Sequence, residues 1–193
     1  IVNAGGPEPM MFPFDLEVAD DRNLEALAGV IGCHLKQLDG LLHSAHTFTH
    51  LSPLHLQTMA QWQTLLTVNL MAPFALTRVC LPLLQASSSA SVVFTGETHG
   101  HQPAAYWGGY AVAKAGLETL TKIWSQELEQ TSHVRINTLI PGPVATPFRT
   151  RTHPGELAET LPNANTLMPH YLYLMGPDSQ SVRGQIVECN TTR

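Results

Sequence analysis

Tyr110 and Lys114 stand four residues apart in Tyr110-Ala111-Val112-Ala113-Lys114, a spacing that puts both side chains on one face of a helix. A nearby ammonium favours phenolate, so Lys114 is expected to draw the Tyr110 phenol toward the range of a general acid or base. A solvated helix face can carry the same pair by chance, so the weight falls on the surroundings. Upstream, Gly96-Glu97-Thr98 closes an apolar run. An ionised Glu97 would only accept hydrogen bonds and would raise the Tyr110 pKa, whereas a carboxyl kept protonated by burial would donate. An exposed loop glutamate is the plainer alternative. Asn69, in Thr67-Val68-Asn69-Leu70, is an amide among apolar neighbours and needs partners of its own. His43, His46, His50 and His55 are close in sequence, and His99 and His101 follow Glu97. Imidazoles bind zinc or nickel, but no cysteine or carboxylate stands at a matching spacing, so no metal site is expected.

The elements that must position these groups follow from periodicity. Short apolar runs, each followed by a helix-type pattern, predict an α/β fold with parallel strands joined by crossover helices. Strands are expected at Met10 to Phe14, Leu38 to His43, Ser91 to Thr95, Val134 to Ile140 and Gly184 to Cys189. Pro13 lacks a ladder donor and assigns the first of these to a sheet edge. Helices are expected from Asp20 or Asp21 to Leu35, from Thr58 toward Leu84, from Gly108 to Gln130 and from Leu167 to Met175. Pro73 and Pro82 should bend or shorten the second helix. Ser87 to Ser91 reads as a loop, and residues 150–165, polar with two prolines, as a mobile surface loop. In open parallel sheets ligands bind outside the carboxyl ends of the strands. Asp15, Ser44 to His46, Gly96 to Thr98 and Pro141-Gly142 should therefore face one crevice.

The chain has 193 residues, 44% hydrophobic, which suffices for one sizeable core and one domain over 1–193. Only 13% are charged and the net charge is -5, so no basic stripe exists for nucleic acid. Polar residues interrupt the apolar stretches before bilayer length and no signal segment opens the chain, so no membrane partner and a cytoplasmic location are expected. Cys33, Cys80 and Cys189 are odd in number and dispersed, which disfavours a disulfide framework.

Taken in order, these motifs resemble the short-chain dehydrogenase/reductase family over most of the chain. The resemblance implies a Rossmann-type doubly wound parallel sheet and an NAD(P)-dependent oxidoreductase moving hydride between nicotinamide and a small carbonyl or alcohol substrate. It assigns proton transfer to Tyr110, the nicotinamide ribose to Lys114, and a water of the proton relay to Asn69. In Pro141-Gly142-Pro143-Val144-Ala145-Thr146 it implies contacts of Pro141, Gly142, Val144 and Thr146 with the nicotinamide, and it puts Asp15 on the adenine. Trp107-Gly108-Gly109-Tyr110 and Leu172-Tyr173-Leu174-Met175-Gly176 resemble the YciK-like bacterial branch. A homodimer or homotetramer through the two long helices is also implied.

Three departures accompany the matches. The family's opening strand, glycine-rich turn and second strand have no counterpart, and Asn3-Ala4-Gly5-Gly6 has no strand before it. The sheet is therefore expected to be N-terminally incomplete, with the first two strands absent, and the sequence to be a piece of a longer chain. Glu97 occupies the position of the family's catalytic serine, with Thr98 as its substitute after a one-residue shift. His43-Ser44-Ala45-His46 replaces an Asn-Asn-Ala-Gly turn, leaving Ser44 and Ala45 as cofactor contacts and an imidazole where glycine permits close approach. The leading expectation is an enzyme. The alternative is a catalytically impaired binding or scaffold protein, or a fragment without activity.

Overall fold

A computed structural model describes residues 1–189. Its sheet holds four parallel strands, β1 (Gly40–His43), β2 (Ser91–Thr95), β3 (Arg135–Ile140) and β4 (Ile186–Glu188), in the order β1-β2-β3-β4. The period-two alternation of strand side chains sorts them onto two faces. Val92, Phe94 and Ile136 pack under helices α3 (Ala72–Gln85) and α5 (Gly108–Leu128), together with Cys80, Leu84, Leu117 and Trp124. Val93 and Leu139 face the other way, against Leu174 of helix α7 (Met168–Met175) and Val144 and Leu167. Each of the fully buried aliphatic and aromatic residues contributes roughly 1.5–3 kcal/mol by leaving water. Helices on both faces of a parallel sheet make the fold α/β and doubly wound.

Local chemistry sets the boundaries. Asp20 opens α1 (Asp21–His34) with a capping box, its carboxylate accepting from the Asn23 amide at 2.8 Å while Asn23 returns the bond to the Asp20 amide. Thr58 and Gln61 make the same reciprocal pair at the start of α2 (Met59–Leu66). The expected second helix runs continuously from Met59 to Gln85 rather than being cut short. Between α2 and α3 it widens into a π-helical turn at Thr67–Met71, just ahead of Pro73. Proline cannot supply the N–H that closes the next α turn, and the wide turn reroutes the hydrogen bonding there.

This rod, 27 residues with a window of mean hydropathy 1.5, is long and apolar enough to cross a bilayer, contrary to the expectation from its polar interruptions. In the fold one face of it joins the core, where Leu65, Cys80 and Leu84 are buried against α5 and the sheet, while Met59 and Met71 are exposed.

Other expectations need correction. Met10 to Phe14 belongs to no strand, and Met11 is 85% exposed. Pro13 gives no ladder donor, and β1 pairs only with β2 among the described residues. The last helix and strand are shorter than predicted, at Met168–Met175 and Ile186–Glu188. Residues 150–165 are built of short helical turns, including the end of α6 (Pro147–Thr152) and Ala158–Thr160. They are tied back where the Ala145 amide donates to the Pro162 carbonyl at 2.9 Å.

Candidate active site

The carboxyl ends of β1, β2 and β3 open into one cavity of about 550 Å³. Ser44 and His46 reach it from β1, Thr95 to Glu97 from β2, and Pro141 and Gly142 from β3, with Tyr110 and Lys114 rising from α5. Gly142 has φ +71°, a left-handed turn that glycine adopts without a steric penalty, and it swings the chain from β3 toward Val144 and Thr146 on the same wall. The crevice predicted from strand ends is thus present, with Asp15, Ala45 and Thr98 outside its lining. Asp15 does not line the cavity; its carboxylate accepts from the Glu17 amide at 2.9 Å and caps a short turn.

Lys114 is 4% exposed. Its ammonium donates to the Thr95 carbonyl at 2.8 Å and lies 5.7 Å from the centroid of the Tyr110 ring, within cation–π range. Around Tyr110, itself 3% exposed, stand four aromatic rings: Phe48 at 5.2 Å and nearly perpendicular, Phe148 at 5.7 Å, and Trp107 and His46 each at 6.1 Å. Glu97 leads into the one-turn helix α4 (Thr98–His101), which lies directly on α5. A Cβ on Gly100 would fall 2.7 Å from the Lys114 Cβ and 3.1 Å from the Ala115 amide nitrogen, so only glycine allows this approach.

The charges bias one another. Burial, and secondarily the Glu97 carboxyl, push the Tyr110 phenol well above its ordinary value. The expected lowering by Lys114 is therefore reversed, because a buried phenolate loses more hydration than the ammonium returns. Burial lowers Lys114 to about 8, with Glu97 opposing. Burial raises Glu97, with Lys114 opposing. Burial thus shifts both the phenol and the carboxyl toward their neutral forms, and for the carboxyl Lys114, Arg149 and the His99 and Thr98 amides work against that shift.

Asn69 is 1% exposed and sits behind the site, in the π turn. Its amide NH2 donates to the carbonyls of Thr47 and Leu65, each at 2.9 Å, while its oxygen accepts from the Thr47 amide at 3.0 Å. It fastens the loop after β1 to the helix, and neither Asn69 nor Ala45 lines the cavity. His43 is taken up by Thr77 at 2.8 Å and by stacking on Phe94, and burial lowers it to about 4. No group of three or more His, Cys, Asp or Glu residues is placed to hold a metal among the described residues.

Sequence reasoning missed several wall residues. Phe148 on the wall, and Phe48 packed against it and Tyr110, are distant in sequence from Tyr110 and carry no motif. Tyr171, whose hydroxyl is 3.0 Å from the Thr95 Oγ1, reads in the sequence as one more apolar residue of a short helix. Arg149 is held by Glu156 in a two-point pair, Nε to Oε2 at 2.5 Å and Nη2 to Oε1 at 2.9 Å. Its place on the wall beside Thr146 was legible only as proximity in sequence.

A parallel doubly wound sheet, with a tyrosine and a buried lysine converging at its carboxyl edge, defines an oxidoreductase-type α/β site. The model of the short-chain dehydrogenase family matches residues 2–157, and the chain belongs to that family. It is 35% identical over 188 residues to the oxidoreductase YciK of Escherichia coli K12, covering 97% of this chain and 74% of that one. A short-chain dehydrogenase of Pseudomonas syringae superposes with a TM-score of 0.93 at 37% identity, over 96% of this chain and 75% of its own. A short-chain dehydrogenase of Escherichia coli CFT073, solved with NADPH, gives 0.92 at 34% identity, over 96% and 77%.

Proposed function

We propose that this chain is the catalytic body of an NAD(P)-dependent oxidoreductase that interconverts a small carbonyl compound and its alcohol, with Tyr110 as acid and base. The observation that carries the reading is the sharing of one cavity by Tyr110, Lys114 and Glu97 at the carboxyl ends of three parallel strands. When bound, the nicotinamide supplies or takes the hydride. The donor set suits that half of the cofactor. Lys114 has spent one of its three N–H donors on Thr95, leaving two for ribose hydroxyls. Pro141, Gly142, Val144 and Thr146 form the wall for the nicotinamide, and Ser44 and Ala45 follow β1 beside it. The relatives solved with NADPH and NADP support the cofactor class. The placement of Asp15 gives no support to its assignment to the adenine.

In reduction, Tyr110 gives its proton to the carbonyl oxygen as hydride reaches the carbon, and the Lys114 ammonium stabilises the phenolate left behind. Glu97, whose carboxyl burial shifts toward the neutral form, would when protonated donate a second hydrogen bond to that oxygen in place of the family's serine. Asn69 holds the loop carrying Ser44 and His46. Residues 150–165 cover the substrate end, and the enzyme works as a cytoplasmic homodimer or homotetramer. A second reading, a binding protein without turnover, is favoured by Glu97 and by the bulk of His46 against the ribose.

Tyr110→Phe separates the two. In the full natural protein it is expected to lower NADPH- or NADH-dependent carbonyl reduction by roughly 10²–10⁴-fold while cofactor affinity changes little. Activity that survives the change excludes the proposed proton transfer, and a native protein with no turnover supports the binding reading. Because Lys114 is held near 8, activity should also fall as pH rises through about 8, where the ammonium is lost.

A further inference from the structure

The cavity wall around and beyond Tyr110 is largely apolar, made by Trp107, Phe148, Val144, Leu167, Met168 and Tyr171. Three cation or cation-forming side chains reach this cavity among the described residues: Lys114, His46 and Arg149. Lys114 gives one donor to Thr95, leaves the others to the ribose in the reading above, and lies at the chemical end. Burial lowers His46, with Lys114 adding to the effect, so its imidazole is held neutral. Arg149 would be the natural receiver for a carboxylate or phosphate, because its fork matches either in two-point fashion. Glu156 takes the Nε and Nη2 edge of that fork and sets a carboxylate charge against the guanidinium. An incoming anion would be left the Nη1 side and would meet the charge of a covalently tethered carboxylate.

We infer that the site takes an uncharged carbonyl compound with an apolar, aromatic-sized body, and that Glu156 sets this preference by occupying the Arg149 guanidinium. The inference rests on the carbonyl-reductase reading and adds a substrate class and a specificity residue to it. Glu156 touches no reacting atom; it is a positioning residue that acts through Arg149.

The test uses two aldehydes of similar shape, 4-methylbenzaldehyde and 4-carboxybenzaldehyde, with the full natural protein and its Glu156→Gln variant. The native protein should reduce the methyl compound with the higher kcat/KM. Glu156→Gln releases the guanidinium and should move the ratio toward the carboxylate by about tenfold or more, carried mostly by KM, since a two-point pair of this kind contributes on this scale. Comparing the ratio between the two proteins cancels the electronic difference between the aldehydes. A native preference for the carboxylate, or a ratio unmoved in Glu156→Gln, overturns the inference. Quenching of Trp107 fluorescence by each aldehyde, with Trp107→Phe as control, reads binding without turnover. Binding of the methyl compound in preference to the carboxylate without any reduction would sink the reductase reading and sustain the inference. Equal binding of both, or of neither, would overturn the inference.

Discussion

Asn69 offers the sharpest check on how the site is held. Replacing it by alanine removes three hydrogen bonds at once, to the Thr47 amide, the Thr47 carbonyl and the Leu65 carbonyl. At about 1 kcal/mol net for each, the loss is about 3 kcal/mol. The better helix propensity of alanine returns about 0.5 kcal/mol. A net destabilisation of about 2–3 kcal/mol follows, and with a urea slope of about 2 kcal/mol/M for a chain of this size the midpoint should drop by about 1 M at unchanged slope. Asn69→Asp is the more discriminating variant. Its carboxylate still accepts from the Thr47 amide but faces two carbonyl oxygens with no proton to give them. It should be less stable than Asn69→Ala at pH 7. Burial and the two carbonyls raise the carboxyl pKa of the folded variant, so the deficit should shrink as pH falls through that raised value and a donor returns. An Asn69→Ala midpoint within 0.2 M of native, or an Asn69→Asp variant as stable as native at pH 7, would refute the assignment of this amide as the fastener of the loop after β1.

Two further perturbations probe the α4 turn. His101 bonds Glu118 through Nδ1 at 2.9 Å and lies 3.6 Å from Glu188, and the Glu118 bond raises its pKa above the ordinary imidazole value. Its stabilisation is complete below about pH 6.5 and is lost as pH rises through the raised folded value, so the gap in unfolding free energy between native and His101→Gln should close as pH rises above about 6.5. Gly100→Ala puts a Cβ against the Lys114 Cβ and the Ala115 backbone, and overpacking there should cost about 1–3 kcal/mol and lower kcat by displacing Glu97. Unchanged thermal melting in Gly100→Ala would show that α4 is free to move away from α5.

The fold was legible wherever local chemistry and tertiary packing agree. Asp20, Thr58 and the Pro141-Gly142 stop mark boundaries in the sequence because their effects act within one turn of chain. Ser91 to Thr95 reads as a buried strand because both of its faces are covered, under Cys80 and Leu84 on one side and Leu174 on the other. Met10 to Phe14 reads equally well as a strand, but a strand exists only through its ladder partner, which no local pattern supplies. In the site, Tyr110 and Lys114 were visible because four residues of helix fix their relation. The direction of the Tyr110 shift was not, because it depends on how deeply Phe48 and Phe148 bury the phenol, and those residues arrive from the loop after β1 and from α6, both distant in sequence. The Arg149–Glu156 pair escaped for a similar reason: spacing alone does not say that a guanidinium and a carboxylate will close on each other beside a cavity.

The wide turn at Thr67–Met71 has a consequence for how this helix tolerates change. One residue of α-helix corresponds to about 100° of rotation, so a single extra residue in a turn re-aims everything after it. The half before the turn points Leu65 at Trp107 and Tyr110, and the half after it points Cys80 and Leu84 at the sheet. The two apolar stripes are out of phase with an uninterrupted helix and are brought into alignment by that one turn. Deleting one residue between Thr67 and Met71 should therefore be absorbed, leaving a plain α-helix with both stripes still aligned, whereas closing the turn to α geometry at full length would rotate Leu84 away from Phe94 while leaving Leu65 in place, uncoupling the support of the sheet from the support of the tyrosine.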